Sequence, residues 1–437
     1  MQSSAKRKPK RVAGARGIAL IGAAAGVLGG ALWGAAGPAE GQAKREAPLA
    51  LEGPASPVPW KRYADWPQPN WDKFNTLAKT DASPPAPKPE AVRKIAEEIK
   101  GDPAQGQKLV FDRGRGGGCL ACHAMGPATA GAQVGNVAPD LSEIGNAGRT
   151  DEWFYNYIFD ARVYNPETVM PPWGAHGLYN DEEIRHMVAF LRTLKTPVKY
   201  RSEVDDPEKR PVPKEDRDNL DALVNPAMWA VDKAKELWSA KGPSGGACVA
   251  CHATPEAQFK TWAAAMPRWE QRLNKVIGVE EFVFRHAKAT TGHSWLMQSE
   301  QNLAMAVFLR HIANGAEIKV DVTSTPAKAA AARGHQLMER KVGQLNFACV
   351  DCHAPAKGAL KWIRGQWLGE SKGQIPHFPT WRTSRLEIWD IRKRFQWCGV
   401  AVRANDLPPD AKEYGELELY LTSLSNGLKF NVPGIRH

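Results

Sequence analysis

Six of the seven cysteines in this 437-residue chain lie in three copies of one short motif, C-x-x-C-H. This motif is typical of covalent attachment of a c-type haem, because its two thiols form thioether bonds to the porphyrin and its histidine binds the iron. A zinc site or a redox dithiol is the alternative for paired cysteines, but the histidine directly after the second cysteine favours haem. The sequence therefore predicts three covalently bound haem c groups. The predicted attachment cysteines are Cys119, Cys122, Cys248, Cys251, Cys349 and Cys352, and the predicted proximal iron ligands are His123, His252 and His353.

The same order of helical patterns surrounds each motif. A helix-like stretch precedes it, and an amphipathic stretch with acidic residues in its first turn follows at 181–194, 299–312 and 412–424. Acidic side chains are favoured there because they face the positive end of the helix dipole. This is the order of a cytochrome c domain, so we predict a mainly α fold of three tandem cytochrome c-type haem domains joined by Pro-rich or charged linkers. The predicted domains are 89–197, 223–316 and 324–430, and the predicted linkers are 44–88 and 198–222.

The N-terminus has the pattern of an export signal. Basic residues precede an apolar, Ala- and Gly-rich run over 17–33, and small residues follow it. The run is short for a membrane-spanning helix, so we predict a signal peptide over 1–43, a periplasmic protein and no stable membrane insertion after cleavage. An uncleaved membrane anchor is the alternative. The formal net charge is +11, but without a Lys/Arg-rich recognition motif or zinc-finger spacing we expect no nucleic-acid binding.

The residues that could bind each haem iron from the distal side differ between the domains. Met170 lies on a loop restrained by the Pro-Pro pair that follows it, where a distal methionine is expected for the first haem. For the second haem we favour His286, with His293, Met297 and Met266 as the alternatives. The first iron is therefore predicted to have a His/Met pair, and the second distal ligand stays open among these four residues.

The seventh cysteine, Cys398, has no cysteine left to pair with. It lies among basic residues, which lower the pKa of a thiol and favour the reactive thiolate. Apolar residues over 384–402 recur at helical spacing, which would put Arg394 and Cys398 on one helix face at i and i+4, with Arg403 near the helix end. We predict that Cys398 is the distal ligand of the third haem and the catalytic thiolate, with the two arginines beside it. His377 is the rival ligand, and a buried inert thiol is the alternative interpretation of Cys398.

Two parts of the chain resemble the subunits of one known family of cytochromes. Residues 119–194, which include Cys-Leu-Ala-Cys-His and Asn-Pro-Glu-Thr-Val-Met-Pro-Pro-Trp-Gly, are similar to the monohaem SoxX subunit. Residues from about 225 to 430, which include Asn-Phe-Ala-Cys-Val-Asp-Cys-His and Arg-Phe-Gln-Trp-Cys-Gly-Val-Ala-Val-Arg, are similar to the dihaem SoxA subunit. The chain therefore resembles a natural fusion of both subunits of a SoxAX cytochrome.

The resemblance implies an L-cysteine S-thiosulfotransferase. Such enzymes join thiosulfate oxidatively to a cysteine of the SoxYZ carrier protein and pass two electrons to a small cytochrome c. The family's catalytic cysteine ligand maps onto Cys398, its active-site arginine onto Arg394, and the SoxX ligand pair onto His123 and Met170. His286 stands near the position where better-known SoxA proteins have a distal cysteine, which implies His/His ligation of the second haem.

Two other functions stay open on the sequence alone. A thiosulfate dehydrogenase also uses a Cys-ligated haem, but it releases tetrathionate and needs no carrier protein. The SoxX-like part of the chain speaks against this function. A multihaem electron carrier would need no thiol chemistry, and its physiological function would survive replacement of Cys398.

Overall fold

The computed structural model describes residues 46–57, 71–115, 118–213 and 220–436, so the predicted signal peptide at 1–43 lies outside the described residues. Within these ranges most regular secondary structure is helical. The helices are α1 Pro103–Phe111, α2 Asp151–Asp160, α3 Asp181–Thr193, α4 Trp229–Ser239, α5 Cys248–Cys251, α6 Pro255–Ala264, α7 Val279–Thr290, α8 Glu300–Ile312, α9 Thr325–Glu339, α10 Cys349–His353, α11 Ile391–Ala401 and α12 Lys412–Ser423. The strands are β1 Arg268–Glu270, β2 Lys275–Ile277, β3 Lys361–Ile363, β4 Gln366–Leu368, β5 Thr380–Arg382, β6 Glu387–Trp389 and β7 Gly434–Arg436. None of the helices in the described ranges is both long and apolar enough to span a membrane.

A pair of packed helices brackets each C-x-x-C-H motif, and we call the chain around the motifs the first, second and third haem-motif regions. Helix α1 packs on α3, α4 on α8, and α9 on α12. Two of these contacts are too close for a side chain. A Cβ atom on Gly106 of α1 would lie 2.0 Å from the carbonyl oxygen of His186, and one on Gly334 of α9 would lie 2.2 Å from that of Glu416. Glycine is therefore required where these helices meet.

Replacing Gly106 with valine is expected to destabilise the first region. The added side chain would have to displace the backbone of α3, and overpacking of this kind costs about 1–3 kcal/mol of unfolding free energy. Urea denaturation followed by far-UV circular dichroism would measure the loss. Ala104→Val, at an exposed position of the same helix, is the matched control. Equal denaturation midpoints for the two variants would contradict the close helix contact.

In the described part of the chain, three small β-sheets lie between the helices. Strands β1 and β2 form one antiparallel hairpin and β3 and β4 a second, whereas β5 pairs antiparallel with β6 and parallel with β7. The three haem-motif regions have separate hydrophobic clusters. The cluster of the first region also includes Leu345, and Phe347 and Val402 pack against it. The first and third regions therefore share part of a core, and the described residues from Ala47 onward form one unit.

The described parts of the two predicted linkers have little regular secondary structure, but they are held against the rest of this unit. In the first, Trp71 is buried, and the backbone N–H of Ala55 donates to the carboxylate of Asp410 at 2.8 Å. In the second, the buried guanidinium of Arg210 donates to the carbonyl oxygen of Arg364 at 2.8 Å. These segments therefore make specific contacts and are not free spacers where the structure describes them.

Candidate active site around the third haem-binding motif

Helix α11 carries the predicted catalytic cysteine. It begins directly after Asp390, because the side chain of this residue accepts a backbone hydrogen bond from the first turn and caps the helix. The sequence predicted helical structure from residue 384 onward. Residues 387–389 instead form strand β6, so the first part of that prediction was wrong. Arg394 and Cys398 nevertheless lie one turn apart on the same helix, as predicted.

The side chain of Cys398 is half-buried and interacts with both cysteines of the third C-x-x-C-H motif. Burial raises the pKa of the Cys349 thiol to about 12, and the neighbouring Cys398 is the next largest cause. Burial also raises the pKa of the Cys352 thiol to about 12, and Cys398 is again the second largest cause. The structure therefore brings the seventh cysteine to the pair that would attach the third haem.

The positive charge of Arg394 acts at the same motif. Burial lowers the pKa of His353, its hydrogen bond to Gly369 raises it, and the charge of Arg394 lowers it further. The Nδ1 atom of His353 lies 2.8 Å from the carbonyl oxygen of Gly369. This hydrogen bond fixes the ring orientation and leaves Nε2 as the nitrogen that could bind a haem iron. A cation, a thiol and the histidine of the motif thus converge at the third motif.

Three consecutive basic residues at the start of α11 have different surroundings. The guanidinium of Arg392 is buried and binds the carboxylate of Glu418 at 2.8 Å. The buried ammonium group of Lys393 pairs with Glu387. Within the described residues, no carboxylate forms an ion pair with Arg394. Its charge is therefore available to an anionic ligand, whereas the charges of its two neighbours are compensated inside the protein.

Arg403, predicted to reach the site from the helix end, lies at the junction between the first and third regions. Its Nε atom donates to the side-chain oxygen of Gln344 at 2.7 Å. Its guanidinium also donates to the carbonyl oxygen of Gly114 and lies over the ring of Trp71. These contacts place Arg403 among residues that join the first and third regions, directly after the end of α11.

At the first motif, the predicted iron ligands belong to one structural region. The Nδ1 atom of His123 lies 2.6 Å from the carbonyl oxygen of Pro139, which orients Nε2 as a ligand. Met170 and Cys119 both pack against the hydrophobic cluster of the first region. The residues present therefore fit a haem that is attached through Cys119 and Cys122 and bound by His123, with Met170 in the same cluster.

At the second motif, the imidazole rings of His252 and His286 lie close together. Their centroids are 5.9 Å apart, a separation that fits one metal ion between two ring nitrogens, each about 2 Å from it. His293 instead stacks on a tryptophan ring at 4.3 Å. Met297 is buried in a different cluster, and Met266 lies in the core of the second region. The structure thus favours His286 among the four candidate ligands.

A contact that the sequence did not predict joins the first motif to the third region. In the hairpin β3–β4, the backbone N–H of Arg364 donates at 3.0 Å to the carbonyl oxygen of Ala121, which lies between two attachment cysteines. Burial raises the pKa of the Cys352 thiol most strongly, and Cys122 of the first motif contributes along with Cys398. The first and third motifs are therefore adjacent in the fold.

Two family models match separate parts of the chain. The model of the SoxA/TsdA cytochrome c domain matches residues 233–318, around the second motif. The model of subunit III of cbb3-type cytochrome C oxidase matches residues 101–191, around the first motif. Two cytochrome c domains are therefore present, and such domains hold c-type haem covalently.

Several sequence relatives are subunits of L-cysteine S-thiosulfotransferases. Subunit SoxA of Paracoccus pantotrophus is 30% identical over 224 residues, which are 51% of this chain and 74% of that protein. Subunit SoxA of Pseudaminobacter salicylatoxidans is 28% identical over 218 residues, which are 49% of this chain and 75% of that protein. The crystal structure of SoxXA from P. pantotrophus aligns with a TM-score of 0.46 and 29% identity, covering 49% of this chain and 80% of that chain. By its sequence relatives, this chain belongs to the SoxA family of cytochromes.

Proposed function

We propose that this protein is a multihaem sulfur-oxidation enzyme that joins thiosulfate oxidatively to a cysteine of the SoxYZ carrier protein. Its relatives are named L-cysteine S-thiosulfotransferase subunits, which is the activity proposed here. The observation that carries the proposal is the convergence of Cys398 and Arg394 at the third motif. A half-buried thiol beside a cation suits the covalent handling of an anionic sulfur compound.

Three haem c groups are part of this proposal. The third region has the same helix pairing and the same motif as the two matched domains, which supports a third cytochrome c domain. When bound, the haem groups supply one-electron transfer. The proposed iron ligand pairs are His123 with Met170, His252 with His286, and His353 with Cys398.

Arg394 is proposed to bind the substrate. Thiosulfate is a dianion, and a guanidinium can hold its sulfonate oxygens through two parallel hydrogen bonds. The neighbouring Arg392 and Lys393 are held by carboxylates, so they compete little for the anion. A sulfonate bound at Arg394 would leave the outer sulfur of thiosulfate free to meet Cys398, one helical turn away.

Cys398 is proposed to carry the sulfur during turnover. Its thiolate forms a sulfur–sulfur bond to the outer sulfur of thiosulfate, and two electrons leave this pair. The thiolate of the carrier's cysteine then attacks the same outer sulfur, and the Cys398 thiolate is the leaving group. In sum, one thiosulfate dianion and one carrier thiol give one carrier S-thiosulfonate, one proton and two electrons.

The electrons are proposed to leave through the first region to a small cytochrome c. The adjacency of the first and third motifs across hairpin β3–β4 supports this route. A thioether ligand such as Met170 raises the potential of a haem, which suits an electron acceptor. We propose that this chemistry takes place in the periplasm after export by the signal peptide over 1–43.

Thiosulfate-dependent reduction of cytochrome c by the purified holoprotein, with and without purified SoxYZ, tests this function. We expect turnover only with SoxYZ, and a thiosulfonate adduct on the carrier's cysteine by mass spectrometry. Turnover without SoxYZ, with tetrathionate as the product, would instead make the protein a thiosulfate dehydrogenase. The matching family model covers SoxA and TsdA together, so this arm of the experiment is needed. If the protein shows no turnover under either condition, it would be a multihaem electron carrier and not an enzyme of thiosulfate oxidation.

Replacing Arg394 with methionine is expected to lower kcat/KM for thiosulfate by about 10²–10³-fold, as for the loss of one preorganised donor that stabilises charge in a reaction. Steady-state kinetics with SoxYZ would measure the loss. Arg333→Met is the matched control, because it removes a partly exposed arginine from α9. Equal kcat/KM values for the two variants would show that Arg394 does not bind the substrate.

A further inference from the structure

A segment near the N-terminus lies against the second haem-motif region. In residues 47–57, which we call the N-terminal strap, the backbone N–H of Ala50 donates to the carbonyl oxygen of Arg285 at 3.0 Å. The guanidinium of Arg285, in helix α7, donates to the carbonyl oxygen of Ala50 at 2.9 Å. The side chains of Ala47 and Leu49 pack against the core of the second region. The strap is therefore part of that region's structure, although it precedes the first motif in sequence.

One backbone carbonyl of the strap bonds to a proposed iron ligand. The Nδ1 atom of His286 lies 2.8 Å from the carbonyl oxygen of Pro48, and the His286 ring lies 5.9 Å from the ring of His252, centroid to centroid. When Nδ1 carries the proton and donates it to this oxygen, Nε2 has the lone pair that binds iron. The Pro48 carbonyl therefore selects both the tautomer and the ring orientation that a ligand needs.

This hydrogen bond differs from those of the three proximal histidines in its span along the chain. His123 and His353 each bond to a carbonyl oxygen 16 residues away, and His252 bonds to a side chain 6 residues away. Pro48 is 238 residues from His286. The orientation of this one ring therefore depends on a segment that is distant from its own haem motif in the sequence.

We propose that the N-terminal strap is a positioning element for the second haem and acts through the Pro48 carbonyl on His286. The inference rests on the proposed ligation of the second haem by His252 and His286. An imidazole that donates its Nδ1 proton is a stronger ligand, which stabilises oxidised iron and lowers the haem potential. Displacing the strap therefore raises the midpoint potential of this haem and weakens the hold of His286 on the reduced iron.

Side chains outside the strap hold it at both ends. Arg272 donates to the carbonyl oxygen of Ala47 at 2.8 Å. The carboxylate of Asp410 accepts from the backbone N–H of Ala55 at 2.8 Å and from the hydroxyl of Ser56 at 2.7 Å. Since the strap is fixed at both ends, its register against His286 can be shifted by changes that leave the haem ligands themselves intact.

A one-residue insertion in the full-length holoprotein tests the proposal. A glycine inserted between Leu49 and Ala50 keeps the Ala50 contact with Arg285 but moves Pro48 by one residue. A glycine inserted after the exposed Gly53 is the matched control, since it leaves residues 47–50 in register. We expect the first insertion to raise the midpoint potential of one haem, to change its low-spin electron paramagnetic resonance signal and to let carbon monoxide bind it when reduced.

The control insertion should match the parent protein in all three measurements. If the insertion after Leu49 also matches the parent while His286→Ala changes the same haem, His286 is a ligand that the strap does not position, and the inference is overturned. If His286→Ala leaves every haem signal unchanged, the proposed ligation is wrong and the inference fails with it. Should the insertion variant not accumulate, Arg272→Gln, which releases Ala47, is expected to give the same selective shift, and its absence overturns the inference.

Discussion

A Cys398→Ser variant is expected to lose thiosulfate-dependent reduction of cytochrome c by roughly 10³-fold or more, as for the removal of a catalytic nucleophile. A serine hydroxyl has nearly the same shape as a thiol, but it ionises much less readily and forms no sulfur–sulfur bond. Cys398 lies outside every C-x-x-C-H motif, so the substitution leaves the six attachment cysteines in place. The haem content of each chain is therefore expected to stay unchanged.

The assay for this variant contains SoxYZ, thiosulfate and cytochrome c. Haem content and reduction by dithionite are the controls for intact haem groups. Alkylation by iodoacetamide gives an independent check, because it should inactivate the parent protein and leave the residual activity of the variant unchanged. A fully active Cys398→Ser variant would contradict the proposal of a catalytic thiolate. The protein would then be a multihaem electron carrier.

The haem motifs and most of the helices could be predicted because both are local patterns. The family models confirm cytochrome c domains around the first two motifs. The prediction failed at the start of α11, where Ile388 and Trp389 belong to a strand. A short apolar run fits a buried strand as well as a helix. The Asp390 cap, which separates the two elements, is a contact between a side chain and the backbone that periodicity does not record.

The roles of neighbouring basic residues could not be predicted from the sequence. Arg392, Lys393 and Arg394 are consecutive basic residues that the sequence does not distinguish by role. In the structure the first two pair with carboxylates from α12 and β6. Such partners are set by the tertiary structure. The same limit applies to Arg403, because its partner Gln344 precedes α11 by many residues and lies at the junction of two regions.

The choice among distal ligands of the second haem was limited in the same way. The sequence offered four residues within one region, and only their positions in space separate them. The ring of His286 lies near that of His252, and its Nδ1 atom bonds to a carbonyl oxygen from a segment 238 residues away. The approach of hairpin β3–β4 to the first motif is equally non-local. Contacts of this kind produce no periodic sequence pattern in either of the two segments that form them.

Arg392→Met is expected to reduce the free energy of unfolding by about 3–5 kcal/mol, as for buried ion pairs that lose one partner. The side chain of Arg392 is 1% exposed, and its guanidinium pairs with Glu418 at 2.8 Å and with Glu281 at 3.5 Å. Glu281 keeps its ion pairs with Lys275 and Arg285. Glu418 is also buried, and it loses the cation that pairs with it.

The decrease in the free energy of unfolding of the Arg392→Met variant should depend on pH. Burial, with the nearby Glu418 and Asp390, already raises the pKa of Glu280 to about 8. In the Arg392→Met variant Glu280 also loses the nearby positive charge of Arg392, so we expect its native pKa to rise further above its unfolded value. Between these two pKa values the unfolded state loses a proton that the native state keeps, so the free energy of unfolding falls as pH increases. Below both values the deficit shrinks, because the carboxyl is neutral in both states.

Urea denaturation followed by tryptophan fluorescence would measure this deficit at about pH 4.5, near the ordinary pKa of a glutamate, and at about pH 8. Lys235→Met is the matched control, because it removes an exposed ion pair with Asp232 and should change the free energy of unfolding by less than about 1 kcal/mol. A deficit for Arg392→Met that is larger at the higher pH would show that the arginine stabilises the protein through its charge. The same deficit at both pH values would mean that its packing, and not its charge, holds α11 in place.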